Sequence, residues 1–210
     1  PDAILAAMQH YPGVTYSVRC GNGERIVRWV ETGEVDIGYA LRRRTAAGVV
    51  EVRAFAQPLG VVTAPGHPLT STGGKVRMRD CFAHPLILMT PDTELRAMFD
   101  QIDARQPRSV RPLVETGSVS MVRRLVAEGA GIGFLIAENV ADDVAAGRLA
   151  WTPLADAGAR SFSCIYQRAD TSATVAMTMF LAFFSEAIDA MEHGFARGGR
   201  AAGTRRRATR

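Results

Sequence analysis

A short polar turn, Thr116-Gly117-Ser118, stands between an apolar run and an amphipathic stretch in the segment LVETGSVSMVRRLVAEGAGIGFLI, residues 113–136. The pattern predicts a strand that ends at the turn and a helix that begins there. A helix start leaves backbone N–H groups without internal partners and carries partial positive charge, so the turn can present N–H and hydroxyl donors to an anion or a carbonyl. The alternative is that Ser118 only caps the helix.

Two further turns occupy the same kind of position, Gly21-Asn22-Gly23 and Thr90-Pro91-Asp92-Thr93. Each is placed where a strand would end and a helix would begin, which is the edge of a parallel sheet where ligands collect. Three such turns favour a small anionic or polar ligand; a carboxylate is the hypothesis, and a neutral amide or a nucleobase stays open. Asp92 opposes an anion and is interpreted as a helix cap. The candidate contacts are Thr116, Gly117, Ser118, Ser120, Asn22, Gly23, Thr90 and Thr93.

Two larger side chains near the end of the run VDIGYALRRR extend this set. Tyr39 adds an aromatic ring and Arg42 a guanidinium, which suits a carboxylate because its fork donates two parallel hydrogen bonds. The neighbouring Arg43 and Arg44 are interpreted as part of a solvated loop. The sequence therefore predicts Tyr39 and Arg42 as additional ligand contacts.

The net charge of +4 is concentrated at one end of the chain. Without the six arginines after residue 196, the rest carries 19 basic and 21 acidic residues, which is not the pattern of a nucleic-acid-binding surface. Residues 193–210 are predicted to be a disordered basic tail, and weak contact of this tail with a polyanion stays open. Apolar runs are too short for a membrane span.

The sequence contains cysteine, histidine and serine residues of the kinds that bind metals or act in catalysis, but not in the groupings that such sites require. Cys81 and His84 have ligand-like spacing, but no second pair is near them, and no Ser, His and acid arrangement can be assigned. We therefore expect no metal, no cofactor and no catalytic residues. The three cysteines, with Cys20 and Cys164 completing the set, are predicted to be reduced, buried thiols of a cytosolic protein.

Three alternating glycines lie at the start of the segment GAGIGFLI, residues 129–136. Gly129, Gly131 and Gly133 do not join a strand to a helix, so they do not form a dinucleotide-binding loop. They are interpreted as sites of close packing and as a tight helix exit. Asp142 and Asp143 are interpreted as a solvated helix face.

Apolar runs with β-branched residues alternate with amphipathic stretches, which indicates an α/β fold with parallel sheets covered by helices. The order predicts two lobes with a ligand cleft between them: residues 1–58 and 161–192 form lobe I, and residues 59–160 form the inserted lobe II. The predicted strands cover residues 14–20, 35–41, 59–64, 85–89, 110–115, 131–136, 149–154 and 161–168.

Five segments in this order resemble the effector-binding domain of LysR-type transcriptional regulators. The first has a helix ending in Tyr-Pro-Gly-Val and a second helix closing on Gly-Glu-Val-Asp-Ile-Gly; the next has a strand running into Pro-Gly-His-Pro-Leu. The third carries a glutamate, the small polar turn, a helix and a strand that begins Gly-Ala-Gly-Ile. The resemblance extends to about residue 192 and is carried by residues 4–41, 58–69, 114–136, 140–154 and 174–188.

The resemblance implies a fold like that of the type 2 periplasmic binding proteins, in a cytoplasmic bacterial regulator. A small effector between the lobes would change the oligomer, a homodimer or homotetramer, and its DNA binding. Trp29 lies on a helix that pairs such domains, so it is expected either in the core or at a dimer interface. DNA would be contacted only through an N-terminal winged helix-turn-helix, which this sequence lacks together with the usual first strand, and no membrane contact is implied.

Two other classes stay open from the sequence. A solute-binding protein of a transport system would share the fold, and so would a small enzyme built on this scaffold. The resemblance favours the regulator over both.

Overall fold

The computed structural model describes residues 1–42, 45, 47–71, 76–104 and 110–204; of residues 71 and 191–204 it describes the backbone alone. The chain divides into two compact units. Unit 1 contains Pro1–Phe55 and Phe162–Ala196, and unit 2 contains Ala56–Ser161 together with the described residues from Arg197 onward. Among the described residues, no helix combines the length and the apolar character needed to cross a membrane.

In unit 1 helices pack against strands, and most of these elements lie where the sequence pattern predicts them. Its strands β1 (Gly38–Leu41) and β7 (Arg160–Arg168) pair in antiparallel fashion, with Tyr39 opposite Ile165 and Ala40 opposite Cys164. Val27 and Val30 of helix α2 (Gly23–Glu31) are buried against these strands, because they lie on one face of the helix. The elements are α1 (Asp2–His10), α2 (Gly23–Glu31), β1 (Gly38–Leu41), the first part of β2 (Val49–Thr63), most of β7 (Arg160–Arg168) and most of α8 (Val175–Thr204).

Unit 2 is built on a sheet whose strands lie in the order β6 (Ala150–Pro153), β2 (Val49–Thr63), β5 (Ile132–Ile136), β3 (Leu86–Met89) and β4 (Val114–Thr116). Strands β5, β3 and β4 are parallel to one another, whereas β2 is antiparallel to both of its neighbours in this unit. Its elements are the rest of β2, α3 (Pro68–Ser71), α4 (Met78–Cys81), β3 (Leu86–Met89), α5 (Glu94–Asp103), β4 (Val114–Thr116), α6 (Val119–Ala127), β5 (Ile132–Ile136), a 3₁₀ turn (Ala137–Val140), α7 (Ala141–Ala145) and β6 (Ala150–Pro153).

The glycines before and within β5 have the packing roles predicted for them. Gly129 has a φ of 78° and ends helix α6, which is a conformation that residues with a Cβ rarely adopt. A Cβ at Gly131 would lie 2.5 Å from the carbonyl oxygen of Pro85, and a Cβ at Gly133 would lie 2.7 Å from Cγ1 of Val122. The interpretation as close packing and a tight helix exit is therefore confirmed.

Residues 14–20, predicted as a strand, have no regular secondary structure, so that prediction was wrong. A strand requires a neighbour to pair with its N–H and C=O groups, and an apolar pattern does not supply one. Val18 is 66% exposed, and Cys20 is exposed as well, so the prediction that all three cysteines are buried was wrong for Cys20.

Strand β2 begins at Val49, ten residues before the predicted start. The sequence pattern does not indicate this part of the strand, because the charged residues Glu51 and Arg53 interrupt its apolar run. In the structure both side chains form ion pairs within unit 1. Helix α8 continues to Thr204, beyond residue 192, where the disordered tail was predicted to begin. Residues 205–210 lie outside the described part of the chain.

Candidate functional site

The ends of β3 and β4 bring two of the predicted turns side by side. The strands are parallel, with Met89 opposite Thr116, and the N–H of Thr90 donates to the carbonyl oxygen of Thr116 over 3.1 Å. Helices α5 and α6 therefore both begin at the same edge of the sheet. Each start contributes partial positive charge and N–H groups, which is the arrangement that binds anions in α/β proteins.

Ser118 caps helix α6, as the alternative interpretation of this turn predicted. Its Oγ accepts from the N–H of Met121 over 3.3 Å, and its own N–H donates to Oγ1 of Thr116 over 3.1 Å. The hydroxyls of Ser118 and Ser120 lie 2.8 Å apart. One of the two hydroxyl protons is used between them, and among the described contacts the other has no acceptor.

In the neighbouring turn the cap of helix α5 is Thr93, so the interpretation of Asp92 as the cap was wrong. Oγ1 of Thr93 accepts from the N–H of Arg96 over 3.3 Å and donates to the carbonyl oxygen of Thr90 over 2.8 Å. Thr can make both bonds at once because its hydroxyl is a donor and an acceptor. The Thr90 hydroxyl lies beside Gly117, where a Cβ would approach its Oγ1 to 3.4 Å.

Arg96 holds these two strand ends together, and the sequence analysis did not single it out. Its side chain, 17% exposed, donates to the carbonyl oxygen of Met89 over 3.0 Å and pairs with Asp100 over 2.8 Å and with Glu115. It thereby links β3, β4 and α5. The spacing of Arg96 and Asp100 at i and i+4 was a signal for the second of these contacts.

Just beyond the end of β5, Gln57 and Glu138 form a hydrogen bond that the sequence analysis did not predict. Leu59 of β2 lies opposite Ile136 of β5, so Gln57 and Glu138 come opposite each other just beyond the last paired residues. Gln57 is 1% exposed, and its Nε2 donates to Oε2 of Glu138 over 3.2 Å. A polar residue inside the otherwise apolar end of a strand was the available signal, because such a residue needs a partner when it is buried.

In unit 1, the predicted contacts Asn22 and Gly23 lie at the start of α2. Oδ1 of Asn22 accepts from the N–H of Arg25 over 3.0 Å, so Asn22 is the cap of this helix. Trp29, on the same helix, is partly exposed, with the guanidinium of Arg25 5.1 Å and that of Arg19 5.8 Å from its ring centre.

Tyr39 and Arg42 already have partners within unit 1. The ring of Tyr39 packs edge to face on Phe184, with 4.9 Å between ring centres. Arg42 donates through Nε and Nη2 to the two oxygens of Glu51, over 3.0 and 2.5 Å, and this pairing lowers the pKa of Glu51. Arg43 and Arg44 lie outside the described residues.

Cys81 and His84 have different surroundings in the structure. Cys81 is fully buried in α4, and burial raises the pKa of its thiol to about 12. His84 faces His67, with 4.7 Å between ring centres, and burial lowers the pKa of His67, whose Nδ1 accepts from the N–H of Leu69 over 3.3 Å. Across the described residues, no three His, Cys, Asp or Glu side chains are grouped so that they could hold a metal.

Comparison with known proteins assigns the chain to a family. The model of the LysR substrate-binding domain matches residues 1–189. The chain belongs to the LysR substrate-binding domain family. One relative of this domain, the HTH-type transcriptional regulator CbbR of Xanthobacter flavus, is 26% identical over 151 residues, which are 71% of this chain and 45% of that regulator. The chain thus spans less than half the length of this relative.

Solved structures confirm the predicted fold. The regulatory domain of CcmR from Synechocystis, in complex with 2-PG, superposes with a TM-score of 0.73 at 19% identity, over 86% of each chain. The effector-binding domain of BenM with benzoate superposes with a TM-score of 0.71 at 18% identity, over 91% of this chain and 86% of that one. Identities this low show the fold alone, and that fold is the type 2 periplasmic-binding-protein architecture.

Proposed function

We propose that this LysR substrate-binding domain senses a small anionic effector, which it binds at the carboxyl ends of β3 and β4, and that the full regulator uses this binding to control transcription. The observation that carries the proposal is the meeting of two helix starts at one sheet edge. Thr90 and Thr116 are joined there by a backbone hydrogen bond, and the hydroxyls of Ser118 and Ser120 lie next to them. Donors from two helices therefore face a common point.

A carboxylate is the preferred effector chemistry for this edge. Hydroxyl and N–H donors bind carboxylate oxygens with charge-assisted hydrogen bonds, which are shorter and stronger than neutral ones. Benzoate and 2-PG are the ligands of the BenM and CcmR structures. We take them as support that this fold accommodates small anions, and the identity of the ligand of this chain is left to experiment.

The proposed mechanism contains no covalent step. An effector changes the regulator only by binding two conformations with different affinity, and the difference sets how far the population shifts. The family match and the regulator relatives favour this role over an enzyme and over a transport protein. We propose a cytoplasmic homodimer or homotetramer in which DNA is contacted by another part of the regulator. The contacts predicted in unit 1, Asn22, Gly23, Tyr39 and Arg42, stay predictions.

The test separates the capping role of Ser118 from its proposed ligand role. Ser118→Asp keeps a good helix cap, because Asp and Ser cap helices about equally well, but it places a negative charge where the anion would bind. Thermal unfolding is measured with benzoate and a panel of aliphatic acids. At one hundred times its dissociation constant, a ligand stabilises the wild-type fold by about 2.7 kcal/mol.

We expect the Ser118→Asp variant to unfold at the wild-type temperature or slightly above it without ligand, and to lose the stabilisation by acids. Thr174→Asp is the matched control, since Thr174 caps α8 by accepting from the N–H of Met177 over 3.2 Å. This control should keep the wild-type response to every acid. Acids that stabilise Ser118→Asp as much as the wild type would show that the turn is a cap and nothing more.

A further inference from the structure

Two histidines meet at the edge of the unit 2 sheet that is opposite the ends of β3 and β4. His67 follows the last residue of β2, and His84 precedes the first residue of β3. Strand β2 is antiparallel to β5, and β3 is parallel to β5, so the end of β2 and the start of β3 lie at the same edge. The two imidazole rings stand edge to face, with 4.7 Å between their centres. The pair therefore joins the segment after β2 to the turn before β3.

His67 also organises the short helix α3 that follows it. Its Nδ1 accepts from the N–H of Leu69 over 3.3 Å, and its carbonyl oxygen accepts from the N–H of Thr70 over 3.0 Å. An imidazole nitrogen that accepts a hydrogen bond carries no proton, so this ring is neutral and its proton is on Nε2. Nδ1 thus caps the helix start in the way that a side-chain oxygen caps other helices.

Protonation of the pair acts against these contacts. A proton on Nδ1 of His67 turns the acceptor into a second donor, which cannot bond the N–H of Leu69. Burial, and next the charge of His84, lower the pKa of His67, because the half-buried site favours the neutral ring and two like charges repel each other. The fold therefore stabilises the neutral form of the pair.

The charged and titratable groups on the neighbouring elements lie on and next to α4. Asp80 accepts from the N–H of Arg77 over 3.0 Å and pairs with Arg79 over 3.6 Å. Asp156 accepts from the first N–H of α4 over 2.7 Å, and the buried thiol of Cys81 is neutral, because burial raises its pKa to about 12. Strand β6, which packs against α3, has no charged side chain. Both acids thus hold the start of α4 in place.

We propose that the contact between His67 and His84 responds to protons: when the pair is protonated, α3 loses its cap and residues 64–70 separate from the turn before β3. Residues 64–70 and 82–85 contain no titratable side chains besides these two histidines. Acidity is thereby a second input to the domain, at the sheet edge opposite the proposed effector site. The inference does not depend on the proposed function, because no effector takes part in it.

Amide hydrogen exchange of the full chain tests the proposal between about pH 7.5 and pH 5. It is followed by NMR and corrected for the intrinsic exchange rate at each pH. The open segment binds protons with the ordinary histidine pKa of about 6.5, and the closed segment with a lower pKa. Protection of the Leu69 amide should therefore be complete above about pH 6.5 and decrease as the pH falls through the folded pKa, by at least about threefold.

Three variants assign the effect to the pair. His67→Asn removes the titratable ring but keeps a good capping side chain, so protection of Leu69 should no longer depend on pH. His84→Phe keeps an aromatic ring against His67 without a second charge, so the decrease should be smaller than in the wild type. His10→Gln, on the exposed end of α1 in unit 1, is the matched control and should respond as the wild type does. Circular dichroism shows whether each variant is folded.

Constant protection of Leu69 over the whole pH range in the wild type would overturn the inference. An equal decrease in His67→Asn would do so as well, because other groups would then be responsible. The amide of Phe134 in the buried strand β5 reports unfolding of the whole unit, and a loss of protection there as large as at Leu69 would exclude a local release. If His67→Asn does not fold, an unchanged pH dependence in His84→Phe would overturn the role of the pair.

Discussion

The hydroxyl of Ser118 can cap a helix and contact a ligand at the same time. It accepts from the N–H of Met121 and shares a hydrogen bond with Ser120, and a hydroxyl provides one donor and two acceptor positions. The two interpretations of the turn are therefore compatible. A variant that removes the hydroxyl would weaken both roles, which is why an aspartate at this position is the more informative change.

Asp143 shows how a residue-level interpretation from the sequence failed. It was interpreted as part of a solvated face with Asp142, but it is 8% exposed and accepts from Nε of Arg123 over 2.5 Å and from Nε of Arg148 over 2.7 Å. Arg123 precedes it by 20 residues and Arg148 follows it by five, so neither has the i+3 or i+4 spacing that indicates a pair on a helix. The cluster ties α6 to α7 and to the segment before β6, so it is structural.

We predict that Asp143→Asn lowers the free energy of unfolding by about 1–3 kcal/mol at pH 7, because two charge-assisted bonds are weakened in a buried place. The bond from Arg123, above all, lowers the pKa of Asp143 below its unfolded value of about 3.9. Its stabilising effect is therefore complete above that value and is lost as the pH falls through the lower folded pKa.

Urea denaturation of the wild type and of Asp143→Asn between pH 7 and pH 3 measures this effect. The difference between the two proteins should shrink below about pH 4. Asp142→Asn, at the exposed neighbouring position, should change the free energy of unfolding by less than about 0.5 kcal/mol. A difference that stayed constant over the whole pH range would contradict the assignment to the Asp143 carboxylate.

At the scale of elements, periodicity predicted the helices and the buried strands well, because each has one apolar face or is apolar throughout. The strands β3 and β5, whose residues are all buried, lie close to their predicted positions. Periodicity failed at residues 14–20, where strand formation depends on a pairing partner. It also failed at the start of β2, where Glu51 pairs with Arg42, just after β1, and Arg53 pairs with Asp189 of α8. Long-range pairing cannot be read from a local pattern.

The contact of α6 with β5 depends on a missing side chain. A Cβ at Gly133 would lie 2.7 Å from Cγ1 of Val122, which is fully buried. We predict that Gly133→Ala lowers the free energy of unfolding by about 1–3 kcal/mol through overpacking. Adding Val122→Ala should relieve part of this, so the double variant should be more stable than the sum of the two single changes implies.

Chemical denaturation of the four proteins in this cycle gives the coupling. Gly48→Ala is the matched control, because nothing lies within 4 Å of the position that its Cβ would take. It should unfold within about 0.5 kcal/mol of the wild type. Additive effects of the two changes would mean that α6 and β5 adjust independently of this contact.

For the whole molecule, the order of the five segments was more informative about the family than any single segment, since each resembles the family only weakly. The turn at Thr116 alone favoured a helix cap, and the capping bond is present. The five segments in their order along the chain nevertheless indicated the family, which the match over residues 1–189 shows. The contacts of Arg96, Gln57 and Glu138 could not be predicted to the same degree, because they join separate strands and helices.

The proposed oligomer of the whole regulator can be tested at one residue, Trp29. Trp29 is partly exposed although it adjoins the buried face of α2, and the guanidinium of Arg25 covers its ring at 5.1 Å. Aromatic residues with one packed face and one accessible face are common anchors of interfaces. We predict that Trp29→Ala weakens self-association of this chain at least tenfold, as measured by sedimentation equilibrium over a range of concentrations.

The helix itself should survive this change, because Val27 and Val30 carry its buried contacts and remain in place. Arg28→Ala, at an exposed position of the same helix, is the control and should sediment like the wild type. Circular dichroism of both variants separates loss of association from loss of fold. If Trp29→Ala unfolds at the wild-type temperature and sediments as the wild type does, then Trp29 only packs against Gly21 and Arg25 within its own chain, and the prediction that it lies at a dimer interface is wrong.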